Sequence, residues 1–171
     1  MSPAHLAWPL VALLGAGTPK PGDVEVATTE GNPVRLSDAF RSRPSVLFYE
    51  DKESNALNET LKNTLFARGK AKNLLDAASV VAIANVVAYD WFPARNLVIA
   101  SVRDTEKQYG IPIYLDWKGV MVQPPWRLKP DSSTVVVVDG SGAVRYSKRG
   151  KLSQVEIDEV LALLATLIEA R

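Results

Sequence analysis

Asp131-Ser132-Ser133-Thr134-Val135-Val136-Val137-Val138-Asp139-Gly140-Ser141-Gly142-Ala143-Val144-Arg145-Tyr146 is the stretch whose reading decides the fold. Four consecutive valines follow a short polar entry, with no apolar–polar alternation between them. A β-branched run of that kind reads as a strand buried on both faces. Asp139-Gly140-Ser141-Gly142 carries turn chemistry, and Val144 and Tyr146 then alternate with polar neighbours. The unit reads as a hairpin whose first strand is interior.

Working outward, Ser153 and Glu156 stand three residues apart as a capping box, opening a last helix with Val160, Leu161, Leu164, Leu167 and Ile168 toward the core. Before the hairpin lies a Trp- and Pro-rich loop from Trp117 to Pro130. It is preceded by a short strand, Ile111 to Leu115, that Pro112 confines to a sheet edge or a strand start. Pro93 suits the first turn of a helix reaching about Tyr109, with Leu97, Val98 and Val102 inward and Gly110 as its stop. Val80 to Ala88, in which only Asn85 is polar, predicts a long interior strand. Leu57, Leu61 and Leu65 form one helical stripe, with Ser54 or Asn55 as cap and Arg68-Gly69-Lys70 as its end. Asn73 to Ala78 adds a further helical turn or two. Upstream are a central strand, Ser45 to Tyr49, a short helical turn from a Ser37 cap through Phe40, and two strands, Val24 to Thr28 and Val34 to Leu36, joined by a turn. Strands alternating with helices predict an α/β chain, its sheet covered on both faces and extended by the antiparallel hairpin.

The chain has 171 residues, enough for one domain with a sizeable core. Lys and Arg number 20 against 19 Asp and Glu, for a formal net charge of +1. That balance supplies no basic field, so nucleic-acid binding is not expected. Cysteine is absent. Disulfides, thiolate metal sites, cysteine nucleophiles and dithiol exchange are excluded together. A single histidine, His5, leaves histidine triads and zinc sites almost without material. Gly15-Ala16-Gly17 lacks the strand-before-helix setting of a dinucleotide fingerprint and no Walker sequence occurs, so no cofactor is expected.

Residues 6–16, Leu-Ala-Trp-Pro-Leu-Val-Ala-Leu-Leu-Gly-Ala, match the length of a secretory apolar region and are too short to span a bilayer. Gly15, Ala16 and Gly17 suit a cleavage site. No Lys or Arg precedes the run, however, and Leu14 fits poorly three positions before a cut after Ala16. The competing reading is an apolar N-terminus packed on the domain. No integral membrane span is expected, and the sequence leaves the oligomeric state open.

The order of elements resembles the thioredoxin-like fold in its redoxin form. Gly22-Asp23, Gly31-Asn32-Pro33 with Leu36-Ser37-Asp38, and Pro44 to Phe48 look like the opening of such a domain, and the Val135 to Val144 hairpin looks like its later part. A closer resemblance is to the YtfJ family of periplasmic thioredoxin-like proteins, whose function is not established. It rests on Asn58-Glu59-Thr60-Leu61, on Trp126-Arg127-Leu128 followed by Asp131-Ser132-Ser133, on Val135 to Asp139, and on Lys148 to Gly150 with Leu152 to Glu156. What it implies is a three-layer α/β/α sandwich with a central mixed sheet, a C-terminal β-hairpin and a final helix. A single domain would cover residues 18–171, with residues 1–17 as a possible signal peptide and a periplasmic or otherwise exported location; a cytoplasmic location is the alternative. Redox-active members of the fold carry cysteine where the first central strand meets its helix. Here that junction is Glu50-Asp51-Lys52-Glu53-Ser54-Asn55. The fold's proline before the later buried strand would fall near Ser133, where none stands.

Ligands of open α/β sheets bind beyond the carboxyl ends of the strands. That rule assembles a candidate binding edge from Glu50, Asp51, Lys52, Glu53, Ser54, Trp91, Trp126, Ser132 and Ser133. Large rigid aromatics there, with Trp117 and the prolines 124 and 125, suit a protein or peptide partner, against a plainer role as a minor core beneath the loop. Glu50, Asp51 and Glu53 offer carboxylates for acid–base work or a hard cation, but no metal-ligand spacing accompanies them, and no metal ligand or catalytic residue is assigned. Ser132 and Ser133 offer a hydroxyl with no histidine to activate it, and nothing positions Lys52 or Lys129 as a base. The expected function is a non-catalytic, thioredoxin-like, partner-binding protein. A carboxylate-based or metal-assisted enzyme and a structural envelope component stand as alternatives.

Overall fold

The computed structural model describes residues 20–72 and 74–171. The apolar run at residues 6–16, and with it the expected signal segment, lies outside them. In chain order the elements are β1 (Glu25–Ala27), β2 (Pro33–Arg35), α1 (Leu36–Phe40), β3 (Ser45–Glu50), α2 (Glu59–Lys72), α3 (Leu74–Ala77), β4 (Ser79–Asn85), α4 (Ala94–Tyr109), β5 (Ile113–Asp116), β6 (Thr134–Val138), β7 (Val144–Arg149) and α5 (Gln154–Glu169). Among the described residues they build one seven-stranded sheet in the order β2-β1-β5-β4-β3-β6-β7. β3, β4 and β5 run parallel, while β6 pairs antiparallel with both β3 and β7.

The valine run is interior, as its composition demands. Every residue of β6 is buried, and so is every residue of its neighbour β3. Side chains alternate across the sheet and feed two cores. Leu47, Tyr49, Val136 and Val138 join α1 and the Trp/Pro-rich loop on one side. Val46, Phe48, Val135 and Val137 join Leu61 and Leu65 of α2 and the stripe Ile157, Val160, Leu161 and Leu164 of α5 on the other. The capping box at α5 is formed: Ser153 Oγ accepts from the Glu156 amide and Glu156 accepts from the Ser153 amide. This is the three-layer mixed-sheet architecture that the sequence implied.

Local departures have identifiable causes. Ser37 does not cap α1; Asp23, fourteen residues earlier, accepts from the Ser37 amide at 3.0 Å and its hydroxyl at 2.7 Å. α2 begins at Glu59 rather than near Ser54, and Leu57 is exposed, so the inward stripe starts at Leu61. The helix also runs through Gly69 to Lys72. A single helical glycine costs about 1 kcal/mol, which the packing of Leu61 and Leu65 outweighs. β4 ends at Asn85, whose side chain accepts from the Val87 amide and starts a 3₁₀ turn over Val87–Tyr89. β5 lies inside the sheet between β1 and β4, with Pro112 just before it, so the proline marks a strand start and not an edge. Leu97 is 69% exposed, contrary to its inward assignment, because α4 sits at the outer part of its layer and buries only Ala94 fully. Phe66 of α2 and Tyr109 at the end of α4 pack with ring centroids 5.4 Å apart.

Leu47 has no solvent exposure. Leu47→Ala should therefore lower stability by about 2–5 kcal/mol, while Val155→Ala on the exposed face of α5 should stay within about 0.5 kcal/mol. Urea unfolding checks both, with an unchanged slope and a shifted midpoint for the first.

Candidate functional site

β3 carries Glu50 to the carboxyl end of the sheet, where its side chain turns inward and stays buried. Glu50 Oε1 accepts from Ser133 Oγ at 2.7 Å, and Oε2 accepts from Lys62 Nζ at 2.5 Å. Ser133 Oγ in turn accepts from Asn58 Nδ2 at 2.8 Å. The same Asn58 amide group donates to Gly150 O at 3.0 Å, and its Oδ1 accepts from the Leu152 amide at 2.9 Å. The Gly150 amide closes the circuit on Ser133 O at 2.7 Å. Lys62 also donates to Asn55 O and lies 5.4 Å over the Phe48 ring. Each buried polar atom of this group has a partner, the condition under which polar groups are tolerated in a core.

Burial pushes the Glu50 carboxyl above its usual range. The Lys62 ammonium and the Ser133 hydroxyl pull it back, and Asp51 adds a smaller upward push. The remaining acidic candidates diverge. Asp51 bonds Ser54 at 2.6 Å in a closed turn, while Lys52 and Glu53 face solvent. Among the described residues no group of three His, Cys, Asp or Glu side chains is arranged to hold a metal ion. Ser132 and Ser133 are buried, and the Ser133 hydroxyl already donates to Glu50, so it has no open path to a substrate. Neither cis peptide bond of the described residues, Phe92–Pro93 and Pro124–Pro125, stands immediately before β6.

A second buried carboxylate shapes the neighbouring loop. Asp116, at the end of β5, accepts from the Tyr49 hydroxyl at 3.2 Å and from the Val120 and Met121 amides at 2.9 and 3.0 Å. Burial, with Asp116 beside it, pushes the Tyr49 hydroxyl far above its usual range. This acceptor folds the chain back so that Met121, Leu128 and Trp126 close one core.

The tryptophans therefore separate. Trp126 packs against Phe40 with ring centroids 6.4 Å apart and belongs to the core beneath α1. Trp117 is covered by the Arg95 guanidinium at 4.3 Å, and Arg95 pairs with Asp90. Trp91 and Phe92, just beyond β4, are 59% and 83% exposed. Val87 and Leu97 on the same segment are exposed as well. Two clefts, of about 460 and 240 Å³, lie below α4 and beside β1. Several of their polar groups are engaged: Arg103 and Glu106 hold Thr29, Asp90 holds Arg95, and Asp116 holds its loop.

Of the sequence candidates, Glu50 and Ser133 meet directly and Trp126 leaves the edge for the core. Asn58, Lys62 and Asp116 complete the arrangement without having been singled out as site residues. Asn58 had a legible signal, since it stands three residues before Leu61 and seven before Leu65, on the inward stripe of a helix approach. Lys62 and Asp116 are placed by tertiary contacts that no local pattern records.

Residues 52–167 match the family model described as a bacterial protein of unknown function (YtfJ_HI0045). No curated protein matches the sequence. Several solved structures share the fold. A protein described as the thiol:disulfide interchange protein DsbE from Chlorobium tepidum superposes with a TM-score of 0.62 at 17% identity, over 87% of this chain and 95% of that one. The pneumococcal exposed lipoprotein thioredoxin Etrx1 from Streptococcus pneumoniae strain TIGR4 gives 0.59 at 16% identity, over 85% and 99%. A secreted thiol-disulfide isomerase from Corynebacterium glutamicum gives 0.60 at 14% identity, over 87% and 85%. Identities this low establish a shared thioredoxin-like fold and nothing about chemistry.

Because burial dominates at Glu50, the folded chain holds that proton more tightly than the unfolded one. The residue's contribution to stability is then complete below its ordinary value of 4.5 and is lost as pH rises through the higher folded value. Unfolding free energies of wild type and Glu50→Gln, measured from about pH 4 to about pH 8, should show the wild type's advantage shrinking as pH rises. An advantage that grows with pH would mean that Lys62 outweighs burial.

Proposed function

From the premise that the chain belongs to the bacterial YtfJ family of unknown function, its match spanning residues 52–167, we propose that it is a non-catalytic protein that docks a protein or peptide partner at the carboxyl edge of its sheet. With no cysteine, it has no thiol for disulfide exchange or peroxide reduction. The junction where a thiol would act is filled instead by Glu50, already engaged with Lys62 and Ser133.

The observation that carries the reading is the exposure of Trp91 and Phe92, at 59% and 83%. Large aromatic side chains held in solvent are the kind that anchor interfaces, since they bury much area for few rotatable bonds. The arrangement favours this surface over the acidic alternative, whose carboxylates diverge, and over Trp126, which is spent on the core. Export is part of the proposal. Its supports are the apolar run at residues 6–16 and the fold shared with proteins described as secreted or exposed.

A photo-crosslinking amino acid placed at Phe92 in cells should capture discrete partner bands that Trp91→Ala abolishes, while the same group at Val155 on α5 should capture none. Identical bands from both positions, or none from position 92, would overturn the surface assignment. The intact mass of the same material should begin near residue 18; a full-length chain would remove the export part.

A further inference from the structure

The ten residues that follow β3, 51–60, are held to the core without an apolar anchor. Only Ser54 and Asn58 among them are buried, and both are polar; Leu57 points to solvent. Other connections lay an apolar anchor into the interior: Val86 after β4, Met121 and Leu128 in the loop before β6, Leu152 before α5. The hold on residues 51–60 is instead made of hydrogen bonds. Asn58 ties down one end through Ser133, Gly150 and Leu152. Lys62 pairs with Glu50 and also reaches back to Asn55 O. The side chains of Asp51 and Ser54 bond only one another and each other's amides. Past it, Leu61 and Leu65 clamp α2 with no exposure at all.

Hydrogen bonds can be traded for bonds to water at small net cost, whereas apolar anchors cannot leave the core without exposing surface. The boundary between the two kinds of attachment falls between Asn58 and Leu61. We propose that residues 51–58 form a polar flap, latched by Asn58, that opens as a local unit while α2 from Leu61 onward and the sheet stay folded. Opening uncovers the Glu50 carboxylate, the Ser133 hydroxyl and the Lys62 ammonium together at the sheet end. The closed edge then becomes a polar cleft. The device does not depend on whether a partner docks at Trp91 and Phe92.

Native-state hydrogen exchange on the full chain, at increasing low denaturant, tests this. The Leu57, Glu59 and Lys62 amides donate to Ser54, Ala56 and Asn58 carbonyls and report the flap. They should exchange at least about 100-fold faster than the amides of β3 and β6, and with almost no denaturant dependence. Asn58→Ala should speed the flap amides by a further factor of about 10 and the β3 and β6 amides by the same factor, because its bonds are lost in the open and the unfolded states alike. Ile83→Val, in a core that stays packed when the flap opens, should speed β3 and β6 by about 2–10-fold and leave the flap amides unchanged. Flap amides that share the rate and denaturant slope of β3 and β6 in the wild type would overturn the proposal. So would an Ile83→Val chain in which the flap amides speed up as much as those of β3 and β6, since the segment would then open only with the whole fold.

Discussion

One chain of hydrogen bonds, from Asn58 through Ser133 to Glu50, joins parts of the molecule that are far apart in sequence. It links the approach to α2, the entry of β6 and the end of β3, and Asn58 extends it to the end of β7 and the start of α5. Placing a carboxylate, a hydroxyl and an amide in the interior carries a desolvation cost that only complete pairing offsets. Pairing is complete here, with Lys62 supplying the charge. The consequence is positional: the two helices and the hairpin that meet at the sheet's carboxyl end cannot shift independently.

That junction is where thioredoxin-like oxidoreductases keep their thiol. A carboxylate tied to a lysine and a serine is a different device, because it stabilises by staying closed. A thiolate must be reachable and poised to leave its partner; Glu50 is enclosed and already engaged at both oxygens. In the proposed reading the outward-facing role of this end falls to the exposed Trp91 and Phe92, one strand away. The proposed division of labour follows: a polar interior that holds the edge and an aromatic surface that meets the partner.

The sequence made the scaffold readable wherever local composition and global position agreed. β6 shows itself through four valines, α5 through its capping box and stripe, and the end of α4 through Gly110, which adopts the left-handed conformation that glycine favours. Legibility failed where a distant residue took over a local task. Asp23 caps α1 from another segment, Asp116 organises a loop that composition alone marks only as irregular, and Lys62 finds Glu50 across twelve residues. Leu57 and Leu97 fit a helical stripe by spacing and yet face solvent, because spacing says which residues share a face and not how far the core extends. Of the candidate edge, Glu50 and Ser133 were legible as neighbours of the same strand ends, whereas their partners required the fold.

The central claim is that Asn58 and Ser133 act as one unit in place of the missing thiol site. A double-mutant cycle with Asn58→Ala, Ser133→Ala and the pair, read by denaturant unfolding, tests it most directly. A coupling energy above about 1 kcal/mol is predicted, as for residues sharing one hydrogen-bonded network. Single effects that add to within about 0.5 kcal/mol would show two independent side chains and contradict the account.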